Sequence, residues 1–110
     1  MVKYTPRQGD IISVDFNPTK GREQSGKRPA IVINNNSYFN KTGLLVICPI
    51  SNTKNTFPLH LPLGDNIITT GSILTQHIRT IDPEARHVKF IEHAPFETVR
   101  QVMNLVGLFF

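Results

Sequence analysis

One cysteine, no tryptophan and no long apolar run mark this sequence. A single thiol, Cys48, excludes an internal disulfide framework and suits a reducing compartment. Its place in an apolar stretch points to a buried, inert side chain. The four histidines, His60, His77, His87 and His93, show no paired ligand spacing, so neither a metal site nor a cofactor is expected. Nothing is long enough to span a bilayer, and Met1 to Gln8 lacks the apolar stretch of a signal peptide. The expectation is a cytoplasmic protein with no membrane association. No repeat, low-complexity tract or linker interrupts the chain, so 1–110 reads as one domain.

Basic residues are in excess: 12 lysines and arginines face 8 acidic residues, a net charge of +4. That balance favours a polyanionic partner without requiring one. Hydrophobic periodicity is mostly that of strands. Asp10 to Phe16 places Ile12, Val14 and Phe16 on one face. Ala30 to Ile33 is apolar on both faces, as in a strand covered on both sides. Leu44 to Ile50 reads as a central strand whose pairing Pro49 interrupts. Phe57 to Leu63 alternates, with Pro58 and Pro62 arguing for an edge. Gly71 to Gln76 is a short strand, His77 to Pro83 continues into an exit turn, and His87 to Glu92 is a poor strand because Ile91 falls out of phase. Asn34 to Ser37 and Asn40 to Gly43 read as turns. Only the end looks helical, with Phe96, Val99, Val102, Met103 and Val106 recurring at one helical face after Pro95. Leu108-Phe109-Phe110 calls for cover by this chain or another. The fold class is mainly β (α+β): a small SH3-like barrel or curled antiparallel sheet with a C-terminal helix.

Between the first two strands lies Gly21-Arg22-Glu23-Gln24-Ser25-Gly26-Lys27-Arg28-Pro29. Its glycines permit positive φ. Pro29 restricts Arg28 to extended backbone, so a permanently charged, fork-shaped donor stands at the start of a strand, suited to a phosphate. The same residues also read as a solvated hairpin loop.

Together, Gly9-Asp10, Asp15 to Gly21, Glu23 to Pro29 and Arg79-Thr80-Ile81-Asp82 resemble the MazF/PemK family of toxin endoribonucleases, along nearly the whole chain. The resemblance implies a dimeric, metal-independent toxin that cuts single-stranded RNA at short sequences and is neutralised by a cognate antitoxin. It places the family's key arginine on Arg28, its hydroxyl residue on Ser51 and the glutamate of its Glu-Gln pair on Glu23. Where PemK-like members carry an acidic residue, this chain has Gln76, which accepts no proton at neutral pH. The neighbouring His77 titrates near neutrality and reads either as an acid or base or as a packed side chain.

RNA supplies its own nucleophile, so the implied reaction is attack of the 2'-hydroxyl on the adjacent phosphorus, giving a 2',3'-cyclic phosphate and a 5'-hydroxyl. Arg28 then stabilises charge, Ser51 donates to a phosphate oxygen, and Glu23 is the base or orients Arg28. Candidate RNA contacts are Asn17, Lys20, Arg22, Lys27, Thr53, Lys54, Gln76 and His77. Two other readings stay open: a non-catalytic single-strand binding module, and a CcdB-like poison of a topoisomerase, which needs neither Arg28 nor Ser51.

Overall fold

In a computed structural model of the chain, residues 4–16, 26–52 and 59–110 are described here. The sequence pairs its two most apolar runs with the alternating first strand. Strand β1 (Asp10–Asp15) lies antiparallel to β2 (Lys27–Val32), from Ile11↔Ile31 to Asp15↔Lys27. Strand β3 (Leu45–Ser51) continues on the far side of β2, from Val32↔Ile47 to Ala30↔Pro49. The other edge of β3 is shared. Strand β6 (Arg79–Ile81) runs along Leu45 to Ile47, and β5 (Ser72–Leu74) pairs at Ile50 and Ser51. Strand β4 (His60–Pro62) flanks β5, and β7 (Lys89–His93) flanks β1. The order is β4-β5-β3-β2-β1-β7, with β6 beside β3. Of the two expected forms, this is the curled antiparallel sheet: its end strands β4 and β7 are not paired with one another.

Each face of the sheet has its own core. Ile11, Ile31, Cys48, Ile50 and Ile73 pack beneath Val102 and Val106 of helix α2 (Phe96–Gly107). Ile12, Val14, Phe16, Ala30, Val32, Leu45, Ile47 and Ile81 form the other core, under Tyr4, Phe39 and Val88. The central strands are thus apolar on both sides because both sides are covered. Burial pushes the Cys48 thiol up to about 12, the inert state expected of it.

Several elements differ from the sequence reading. Asn34 to Gly43 holds a helix, α1 (Asn36–Thr42), where turns are expected. Asn35 caps it, its Oδ1 accepting from the Tyr38 amide at 2.8 Å, and Gly43 closes it. Cap residues at both ends of so short a helix look like two turns. Arg79 to Ile81 is a strand rather than an exit, while Gln76 and His77 fall in the turn after β5. Ile91 breaks the alternation of β7 because it is a bulge: Ile11 faces Glu92 and Ile12 faces Phe90, leaving Ile91 opposite nothing. On α2, Phe96 is 81 % exposed and is not a core residue. Leu108 and Phe110 are likewise exposed, so this chain does not supply the cover expected for them.

Side chains tie what the ladder leaves apart. Glu92 on β7 accepts from the Ile68 amide (3.0 Å), the Thr69 amide (2.8 Å) and the Thr69 hydroxyl (2.8 Å), joining β7 to the β4–β5 connection. At the start of β1 the buried Asp10 carboxylate accepts from the Tyr4 hydroxyl (2.5 Å) and the Arg7 amide (3.0 Å), and pairs with His93 Nδ1 (2.5 Å). Burial and this bond to Asp10 together push the Tyr4 hydroxyl far above its ordinary pKa. Gly9, at φ +90°, lies so close to α2 that a Cβ there meets Val99 at 2.7 Å. Gly71, at φ +119°, abuts the end of β3: a Cβ there sits 2.6 Å from the Ser51 carbonyl oxygen.

Two outcomes follow from these contacts. Gly71→Ala meets backbone strain and a backbone clash together, so it is expected to destabilise the fold by on the order of 1–3 kcal/mol, read as a lower melting temperature and faster amide exchange at Ser51 and Ser72. Burial of Glu92 opposes its ionisation, but the bonds from Ile68 and Thr69 outweigh this and hold its pKa below the usual value. Its carboxylate therefore contributes stability above the unfolded value near 4.3, and loses it as pH falls through the lower folded value. In melts from neutral to acid pH, the gap between wild type and Glu92→Gln is expected to close across that window; a constant gap is the contrary result.

Candidate functional site

Arg28 stands opposite Val14 on β2 and is half-buried. Strand alternation places it with Ala30 and Val32, on the face whose core contains Val14 and Ile47. No hydrogen bond or ion pair engages its guanidinium among the described residues, so its charge and donors are uncommitted. Ser51 closes β3, paired with Ser72. The β2–β3 register ends at Ala30↔Pro49. Counting on by two residues on each strand brings Arg28 level with Ser51. Ser51 alternates with Pro49 and Ile47, so it shares Arg28's face.

Two further side chains reach that face, and the sequence reading assigned neither a role. Arg79 pairs in register with Ile47 on β6 and places its Cζ 5.1 Å from the centre of the Phe16 ring. His60, level with Leu74 on β4, lies on the side away from the core residue Ile73, which is Ser72's side. Its Nε2 is 2.8 Å from the Gln76 amide nitrogen. The Gln76 Oε1 is buried with no hydrogen-bond partner among the described residues, which leaves its desolvation uncompensated there. A signal for Arg79 was present, since it opens the Arg79-Thr80-Ile81-Asp82 motif, but only the pairing of β6 with β3 reveals its face. For His60 there was none: a lone histidine near two prolines has no telling pattern.

The other expected residues fare differently. Lys27 is exposed opposite Asp15, on the face away from Arg28. His77 is exposed in the turn after β5, its amide donating to the Leu74 carbonyl at 3.0 Å. It does not share the Gln76–His60 contact. Glu23, Asn17, Lys20, Arg22, Thr53 and Lys54 lie outside the described residues. A cavity of about 630 Å³ lies elsewhere, lined by Tyr4, Phe39, Asp82, Glu84, His87 and Val88 among others. Chemically, the Arg28 face offers guanidinium and hydroxyl donors and a neutral amide, a set suited to phosphate oxygens.

Comparison with known proteins agrees with that chemistry. Residues 7–110 match the family described as the PemK-like, MazF-like toxin of type II toxin–antitoxin systems. The endoribonuclease toxin MazF of Escherichia coli K12 is 38% identical over 84 residues, covering 76% of this chain and 75% of the relative. The endoribonuclease toxin ChpB of the same strain is 35% identical over 112 residues, covering 94% and 93%. Among solved structures, MazF of Deinococcus radiodurans superposes with a TM-score of 0.86 at 29% identity over 97% of both chains. A MazE–MazF complex from that organism gives 0.86 at 27%, over 96% of both. With a family match along nearly its full length and relatives above 30% identity, the chain belongs to the PemK-like, MazF-like toxins of type II toxin–antitoxin systems.

Proposed function

We propose that this chain is a toxin endoribonuclease that cuts single-stranded RNA at short sequences by attack of the RNA's own 2'-hydroxyl, without a metal ion. What carries the reading is that Arg28 and Ser51 lie on one face of adjacent strands, each two residues beyond the last pair, Ala30↔Pro49. The 2'-oxygen attacks phosphorus, its proton passes to a base, and the bond from phosphorus to the 5'-oxygen breaks as that oxygen gains a proton. Charge accumulates on the non-bridging oxygens. Arg28 donates to them from a guanidinium that no carboxylate among the described residues neutralises, and the Ser51 hydroxyl donates a hydrogen bond to them. With a pKa above about 12, Arg28 is not the base. Gln76 cannot be either. Glu23 keeps that role in the proposal, and His60, rather than His77, is the histidine on the reacting face.

The names of the relatives support RNA as substrate, and the MazE–MazF complexes support a protein antitoxin as partner. A homodimer covers the exposed Phe96, Leu108 and Phe110 at the end of the chain in this reading. Base choice falls to the 51–56 segment and the Gln76–His60 pair.

The test is incubation of purified protein with a long single-stranded RNA in excess chelator. Cleavage is expected at a few short sites, leaving 2',3'-cyclic phosphate and 5'-hydroxyl ends. Arg28→Ala should slow it by about 10²–10³, as for loss of a principal charge stabiliser. Arg28→Lys should recover little, because a point charge does not replace the fork. Ser51→Ala should cost about tenfold. Tight binding without cutting points instead to a single-strand binding module. Growth arrest that survives Arg28→Ala points to a topoisomerase poison.

A further inference from the structure

Arg79 has no part in the reaction above, yet it is held as a ligand-binding arginine is held. Three steps of about 4.8 Å separate β1 from β6 in strand order, and the registers set Arg79 level with Asp10, six residues from Phe16, so in a flat sheet the two stand roughly 25 Å apart with parallel side chains. They meet, at 5.1 Å, because the sheet curls over the face that carries Arg28. Phe16 is itself fixed: its ring is buried in the second core, and its amide donates to the Gly26 carbonyl at 3.2 Å, across the described end of the β1–β2 hairpin. The Arg79 backbone is fixed as well, by pairing with β3.

An aromatic ring orders a guanidinium without cancelling its charge, unlike a carboxylate. Among the described residues no carboxylate pairs with Arg79, and the residue is exposed. Arg100 shows the contrast, its guanidinium bound to Glu97 on the outer surface of α2 at 2.5 Å and 3.2 Å. Arg79 is therefore a solvent-facing cation, restricted in motion and unneutralised, on the side of the sheet that meets the reacting phosphate. It lies on a different strand from Arg28, two strands away, so the two arginines present separate charges along the face.

We propose that Arg79 binds a second backbone phosphate of the RNA, distinct from the one that is cut, and so sets how the strand lies across the site. The proposal rests on the reading of this chain as an RNA-cutting enzyme. Arg79 positions the substrate and takes no part in proton transfer. Phe16 is the residue that keeps it in place.

The experiment measures binding of an oligoribonucleotide that spans a mapped cleavage site, with a 2'-deoxy substitution at the cut nucleotide so that no nucleophile is present. Affinity is recorded across a range of salt concentrations. Each phosphate contact to a single strand contributes about 0.7 to the slope of log affinity against log salt. Arg79→Gln, which keeps part of the stem against Phe16, is expected to lower that slope by about 0.7 and to weaken binding several-fold at moderate salt. Arg79→Lys should restore the slope but only part of the affinity. Phe16→Leu should leave the slope unchanged while weakening binding, because the charge remains and its ordering is lost. Arg100→Gln serves as the matched control and should change neither quantity. Thermal melts confirm that each variant is folded. An unchanged slope in Arg79→Gln, or a change no larger than in Arg100→Gln, overturns the proposal. If the wild type neither binds nor cuts RNA, it is the functional reading that has failed; if it does both and only the Arg79 variants are silent, the failure is confined to Arg79.

Discussion

Strand β3 is the constraint on which the rest of the structure depends. Seven residues serve three neighbours: β2 along one edge, then β6 and β5 in succession along the other. A strand so used must be apolar on both faces, and Leu45, Ile47, Cys48 and Ile50 supply that. Pro49, which has no amide hydrogen to donate, stands at the last paired position with β2, just before Ile50 and Ser51 join β5. The change of partner leaves Ser51 at the sheet's margin and level with Arg28. The polar pair is thus a product of the apolar strand: the residues that fill both cores also fix where the ladder ends.

The curl that follows is held by contacts other than backbone pairing. Glu92 joins β7 to the connection between β4 and β5, strands at opposite ends of the sheet order. On the other face Phe16 and Arg79 meet from β1 and β6. Asp10 gathers the segment around Tyr4 and Arg7, the first strand and the end of β7 at a single buried carboxylate. A buried carboxyl group is tolerable only with hydrogen-bond partners, and here the Tyr4 hydroxyl, the Arg7 amide and His93 Nδ1 supply them. That knot lies at the far end of β1 from Arg28, so stability and chemistry occupy opposite ends of one strand.

Much of this was legible in the sequence where a pattern extended over enough residues to be periodic. Ile12, Val14 and Phe16 mark β1, and Val102 and Val106 mark the buried stripe of α2. The two-faced run from Ala30 to Ile33 marks a covered strand. What escaped was short or irregular. The helix from Asn36 to Thr42 is seven residues long and bounded by its own cap residues, so composition shows only the caps. Strand β6 has three residues, and its backbone pairs with β3. The Ile91 bulge inverts the alternation that a strand reading relies on. At the site, Arg28 stood out through a local feature, an arginine restricted by the proline after it, and Ser51 through the family resemblance. Arg79 and His60 belong to the same face only through pairing across tens of residues, which no local pattern encodes.

The bulge at Ile91 also bears on how copies of this chain behave in a crowded cell. Strand β7 is the outermost on its side, with Phe90 and Ile91 both substantially exposed. A straight margin with such side chains is a template on which further chains add, end upon end, into fibrils. A surplus residue kinks that margin, throws its free amides out of step, and leaves an incoming segment unable to keep its hydrogen bonds and bury its greasy side chains at once. The irregular margin of β7 thus works against addition of a further strand there.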